Sequence, residues 1–266
     1  MAGTLYDIGV VTPIANIAAA LTDKYGVYND PANLNGYREH DSSAEYLLFE
    51  CAAIAGNRFI RLRWTSTTLQ HQWGTARSGA NTLTSPIDFG GTYTTVSAFT
   101  HIQLVLHDDT YFLCSDGGAA SRMGTRSVII GKLSNNEYGC YGSGYPVTAA
   151  WDFATFTCYN MTTAVRCLPM DILSFNFRSA ANEIYKQNIV LMTYDTFQPI
   201  LNGAALVWFN NVLNIGHNAT LRSYILGTNF LIGQGWQGMG LPDISSGSSH
   251  STLGFSALYA EYTPAP

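Results

Sequence analysis

Three short stretches of this 266-residue sequence hold residue types that could do chemistry. Gly233-Gln234-Gly235-Trp236-Gln237-Gly238 has the G-x-G-x-x-G spacing of a dinucleotide loop, where a helix N-terminus holds a pyrophosphate. Here Gly240 and Pro242 follow at once, which denies the loop its helix, so the stretch reads as a flexible loop. His107-Asp108-Asp109, with His101 across the strand, offers imidazole and carboxylate ligands to a metal ion. No further cluster points to the same place, and an Asp-Asp pair is what the tip of a hairpin prefers. Gly142-Ser143-Gly144 lacks the glycines two residues to either side of Ser that a nucleophile elbow needs, because Tyr141 and Tyr145 hold those positions. The sequence therefore predicts no enzyme, no catalytic or metal-binding residue, and no cofactor.

Aromatic and arginine residues are the stronger lead. Trp73 lies in His71-Gln72-Trp73-Gly74, Tyr141 and Tyr145 flank the Gly-Ser-Gly segment, and Trp236 stands among glycines. Tyr and Trp give rigid contact area with a polar handle, which suits protein interfaces and sugar faces alike. Arg61 and Arg63 alternate on one strand face, where they could pair across a subunit boundary. The plainer alternatives are rings that cover the ends of the fold and arginines that face solvent. Leu5, Tyr6, Ile8, Val10 and Val11 make the N-terminus more apolar than a solvated tail tolerates. They read as an arm that reaches onto a neighbour, whose deletion would leave a folded domain.

The elements that would position these residues are mostly strands. One helix is predicted over residues 13–25, with Thr12 as N-cap, Pro13 at the first helical position and Gly26 closing it. Residues 1–40 thus read as an N-terminal arm and helix, and 41–266 as a β-rich domain. A hairpin is expected around Ala55-Gly56-Asn57, with Ile60, Leu62 and Trp64 facing one way and Phe59, Arg61 and Arg63 the other. A second runs from His101 through the polar tip 107–110 to Cys114. Further strands are expected at 92–99, 127–133, 154–159, 172–177, 188–194, 204–209 and 251–262, with a hairpin at 221–232. Long Gly/Ser-rich loops are read at 75–91, 115–125, 134–147 and 233–251. Short strands at even spacing predict a mainly β fold, an antiparallel sandwich or barrel-like domain. A faint echo between residues 54–60 and 225–231 leaves two related lobes open.

Composition narrows the function classes. Charged residues make up 12% of the chain and aromatics 13%, against about a quarter charged in an ordinary soluble domain. A surface so short of charge predicts cover by neighbouring subunits. The net charge of -5, with scattered cations, argues against nucleic acid as a partner. No apolar run is long enough for membrane insertion. The N-terminus has no basic leader region, which predicts synthesis in a cytoplasm without a signal peptide. Five cysteines without metal-type spacing read as reduced, buried thiols, with disulfides formed after release as the alternative. The sequons at Asn160 and Asn218 read as chance matches.

Sparse charge, strands rich in Asn, Gly, Thr and Tyr, and a short N-terminal arm make the chain resemble structural proteins of tailed-bacteriophage virions. The resemblance lies in composition and layout across the whole chain. It implies a tail, baseplate or collar subunit, with capsid decoration protein as an alternative. Its partners would be copies of itself and other virion proteins. A receptor- or carbohydrate-binding module, whose partner would be a cell-surface glycan, and a hydrolase are the readings from other classes.

Overall fold

The computed structural model describes residues 3–26, 36–40, 44–65, 68–89, 102–115, 126–142, 157–170, 185–217, 255–259 and 262–264. In chain order these form β1 (Gly3–Asp7), α1 (Pro13–Tyr25), β2 (Gly36–His40), β3 (Glu45–Glu50), α2 (Ala52–Ala55), β4 (Phe59–Thr65) and β5 (Thr68–Gly74). Then come β6 (Ala76–Arg77), β7 (Leu83–Thr84), β8 (Ile87–Phe89), β9 (Ile102–Leu106), β10 (Thr110–Ser115), β11 (Arg126–Lys132) and β12 (Tyr138–Gly142). The chain continues through β13 (Thr157–Asn160), β14 (Val165–Met170), β15 (Tyr185–Thr193), β16 (Leu201–Asn202), β17 (Ala205–Leu206) and β18 (Trp208–His217). It closes with β19 (Phe255–Tyr259) and β20 (Tyr262–Pro264). The fold is mainly β and antiparallel, as the short, evenly spaced strands predict.

Eleven strands make the large sheet, in the order β19-β18-β15-β14-β13-β12-β11-β10-β9-β1-β20. Its two outermost strands are separated in the chain by residues 260–261 alone. Three Cα steps of about 3.8 Å therefore span from one edge to the other, so the sheet must curl. A smaller sheet, β2-β3-β4-β5-β8, packs on the outside of the curl. Between the two lie Leu47, Phe49, Ile60, Leu62 and Trp73 from the small sheet and Ile102, Leu104, Tyr111, Leu113 and Ile130 from the large one. The opposite face of the same large-sheet strands carries Val105, Phe112, Ile129 and Tyr141, packed with Ile189, Leu191 and Phe209 from the far side of the curl. Strand β9 is consequently buried at every position.

Helix α1 follows its local signals. Pro13 opens it and Gly26, at φ 70°, closes it by donating to Thr22 O at 2.9 Å. Thr12 makes no side-chain cap; Asn16 instead donates its side-chain amide to Ile8 O at 2.7 Å. Ile14, Ile17, Ala18 and Leu21 enter the core between the sheets.

The N-terminal segment is not an arm reaching outward. Strand β1 lies between β9 and β20, antiparallel to the first and parallel to the second. Leu5 and Ile8 are buried in this chain's own cores, and α1 packs with them. Residues 1–40 and the β-rich remainder therefore share one core. The physical reason is pairing across about 100 residues, Leu5 with Val105, which local reading does not reveal.

Other expectations shift in detail. The turn between β3 and β4 is built by α2 rather than by Ala55–Asn57 alone, and Gly56 at φ 62° leaves it. The expected loops at 75–91 and 134–147 contain β6, β7, β8 and β12. Strand β14 has no counterpart among the expected strands, and 204–209 divides into β17 and the start of β18. The hairpin at 101–114 forms as predicted, Leu106 opposite Tyr111. The expected strands at 92–99 and 172–177, the hairpin at 221–232, and with it the echoed segment 225–231, lie outside the described residues.

Deleting residues 1–11 removes the strand that joins β9 to β20 and two buried side chains. At about 1.5–3 kcal/mol for each buried Leu or Ile, the loss is on the order of 5 kcal/mol. Urea denaturation of the truncated chain is expected to show a severely destabilised or unfolded protein. An unchanged midpoint would show that β1 does not belong to the sheet.

Candidate interaction surfaces

The outer face of the small sheet is built by alternation. Along β4 the buried side chains Ile60, Leu62 and Trp64 turn to the core, which leaves Phe59, Arg61 and Arg63 on the opposite face. Register places Tyr46 of β3 opposite Arg63, and Gln72 of β5 opposite Arg61. The Tyr46 ring carries both cations, with the Arg61 guanidinium 4.9 Å and the Arg63 guanidinium 5.9 Å from its centroid. Arg63 Nε donates to Tyr46 Oη at 3.3 Å, and Arg61 donates to Gln72 Oε1 at 2.8 Å. Gln72 and Gln70 each donate to Asp88 Oδ1, at 2.6 and 3.0 Å. A planar polar network thus crosses four strands, β3, β4, β5 and β8. Among the described residues neither guanidinium forms an ion pair with a carboxylate. The face presents two guanidinium groups stacked on one aromatic ring.

The remaining expected contact residues are placed differently. Trp73 is wholly buried on β5, edge-on to Tyr159 at 6.1 Å and beneath Arg58 at 6.0 Å. Tyr141 is buried on β12 inside the curl. Both are core residues, because β5 and β12 are strands whose alternation turns those rings inward. Leu5 and Ile8 are core residues as well. Tyr6 is half-buried and donates to Asp23 Oδ2 at 2.7 Å; burial first, and that carboxylate second, push its hydroxyl pKa up to about 12. Tyr145 and Trp236 lie outside the described residues.

The chemistry-bearing side chains are engaged in tying turns together. Asp109 accepts from Thr110 Oγ at 2.9 Å, from Asn211 at 2.6 Å and from Asn210 at 3.2 Å. This fixes the β9–β10 turn to β18. Asp108 pairs with Lys24 of α1 at 2.6 Å, and the Tyr25 hydroxyl donates to His107 O. His107-Asp108-Asp109 is therefore a clamped hairpin tip. Among the described residues no three His, Cys, Asp or Glu side chains gather into a metal site. Glu137 Oε2 accepts from Asn135 and from Asn160, both at 2.6 Å, so the buried sequon asparagine is a structural donor. All five cysteines are buried free thiols, and burial pushes those of Cys140 and Cys158 well up, leaving them unreactive.

A different surface escaped the sequence reading. Of the five exposed large hydrophobic side chains among the described residues, Tyr194 (38% exposed) and Phe197 (49%) lie on the turn after β15, Leu201 (56%) on β16, and Val165 (51%) opens β14. Arg166 stacks on Tyr194 at 4.0 Å, which joins the β13–β14 turn to the turn after β15. Phe197 N–H donates to Thr193 O, and Pro199 bridges to Met192, which leads the chain to the β16–β17 hairpin. The local signal was Asn202-Gly203, a hairpin dipeptide between apolar residues.

Compared with protein-family models, curated proteins and solved structures, the chain matches none.

One buried pair yields a pH dependence. His71 Nε2 lies 3.2 Å from the Tyr111 hydroxyl between the sheets, and burial drives its pKa down to about 3. An unfolded histidine titrates near 6.5, so below that pH the unfolded chain binds a proton that the folded chain refuses. The contribution of neutral His71 is fully present above pH about 6.5 and is lost progressively as pH falls toward about 3. Urea midpoints should fall through this window, at up to about 1.4 kcal/mol per pH unit from this group. His71→Gln should flatten the slope, and an unchanged slope would show that His71 is not buried neutral.

Proposed function

We propose that this protein is a structural subunit of a tailed-bacteriophage particle, a tail, baseplate or collar component that acts through protein–protein contacts. The observation that carries the reading is the exposure of the large apolar side chains Val165, Tyr194, Phe197 and Leu201 on a chain with 12% charged residues. Exposed apolar surface favours protein association. The Arg61–Tyr46–Arg63 stack supplies a second, polar surface suited to the same role. Asp109, Glu137, Asn160 and His71 are committed to hydrogen bonds within the fold, which favours a scaffold over a reaction centre.

Mass spectrometry of particles purified from a lysed, phage-infected culture tests the reading. The expected result is this chain as a multi-copy component that stays with the particles through density-gradient banding. Its recovery solely in the soluble lysate fraction would overturn the proposal.

A further inference from the structure

We infer that Cys158 and Cys167 are poised to close into a disulfide, an oxidation site inside the β13–β14 hairpin that forms when the reduced chain meets a small-molecule disulfide. The register sets the two cysteines directly opposite one another. Residues so placed in an antiparallel ladder stand about 4.5–5.5 Å apart at Cα, and a disulfide spans about 4.4–6.8 Å. Opposite side chains share a face, and both thiols lie in the core enclosed by the curl. Their Cβ atoms need to draw in by about 1 Å to reach bonding geometry. Among the described ladders no other two cysteines are in register. Cys140 faces the other core, opposite Tyr159, and Cys51 lies in that core ahead of α2. Cys114 shares the face but stands on β10, three strand spacings or about 14 Å from β13.

Access comes from the tip of the hairpin. Thr162, Thr163, Ala164 and Val165 are exposed, and two residue pairs, Asn160–Val165 and Tyr159–Arg166, separate the thiols from the tip. Strand β13 is held along its length by β12, whereas β14 joins β15 only from Cys167 onward, opposite Thr193. Fraying of Val165 and Arg166 from β13 therefore uncovers Cys167 while the rest of the sheet stays paired. The Cys167 thiolate attacks one sulfur of the small disulfide and expels one thiol, which leaves a mixed disulfide. Cys158, directly opposite, then attacks the Cys167 sulfur and expels the second thiol, giving it the Cys158 proton. The protein loses two thiol hydrogens with their electrons, and the reagent departs as two reduced thiols. A reducing compartment keeps the pair open, and an oxidising one closes it. The closed bond pins the strand that carries the Arg166–Tyr194 stack.

Mass spectrometry of the full chain, reduced and then held folded in oxidised glutathione, tests the site. The expected product lacks two hydrogens, keeps three of its five thiols open to alkylation after denaturation, and regains all five with dithiothreitol. Trypsin cuts after Arg166 and chymotrypsin cuts between Cys140 and Cys158, so the linked peptides identify the pair. Cys158→Ala and Cys167→Ala should each abolish the bond, and Cys140→Ala should keep it. Five thiols still open after oxidation of the folded wild type, or a bond that joins any other two cysteines, would overturn the site.

Discussion

The burial of β9, β10 and β11 on both faces governs the rest of the structure. An antiparallel sheet ordinarily keeps one face in water, and its strands then alternate apolar with polar. Here Ile102, Leu104, Tyr111 and Ile130 face one core, while Val105, Phe112 and Ile129 face another. Each face needs its own cover. The small sheet and α1 supply the first, and the curl of the large sheet back onto β15 and β18 supplies the second. The curl in turn brings the edges of the sheet to within two residues of chain, so that β19 and β20 finish opposite ends of one ladder.

Two cores back to back enclose few polar groups, and not all of them are matched, since the buried Trp73 Nε1 has no hydrogen-bond partner among the described residues. His71 meets Tyr111, and the turns at one end of the large sheet are bound by Asp109, Glu137 and Asn160. Arg58 adds a clamp by donating to the carbonyls of Met161 and Thr162. Strand direction sends those short turns to one end of the large sheet. The Arg–Tyr face of the small sheet and the exposed β16–β17 hairpin lie at the periphery.

What the sequence revealed was local. Pro13, Gly26 and an apolar stripe sufficed for α1, and alternation sufficed for the two faces of β4. The polar tip at 107–110 marked the β9–β10 hairpin. What it concealed depended on distant neighbours. Strand β12, Tyr-Gly-Cys-Tyr-Gly, reads as a loop because of its glycines. A Cβ at Gly139 would stand 3.0 Å from Leu133 and from the Phe209 ring, a side chain 70 positions away in sequence. The N-terminal strand likewise needs Val105 and Pro264 as partners. Trp73 was legible after all: His71 and Trp73 alternate with Gln70 and Gln72, large rings inward and amides outward. Phe197 and Leu201 gave no sign of their exposure, since apolar type alone does not distinguish a covered position from an exposed one.

The double burial of β9–β11 is tested most directly by hydrogen exchange followed by mass spectrometry. Peptides spanning 102–115 and 126–132 are expected to exchange slowest of the whole chain, at a rate set by global unfolding, with 201–206 among the fastest in dilute protein. Exchange of 102–115 as fast as that of 201–206 would contradict the account, because strands enclosed on both faces cannot open to solvent without unfolding both cores.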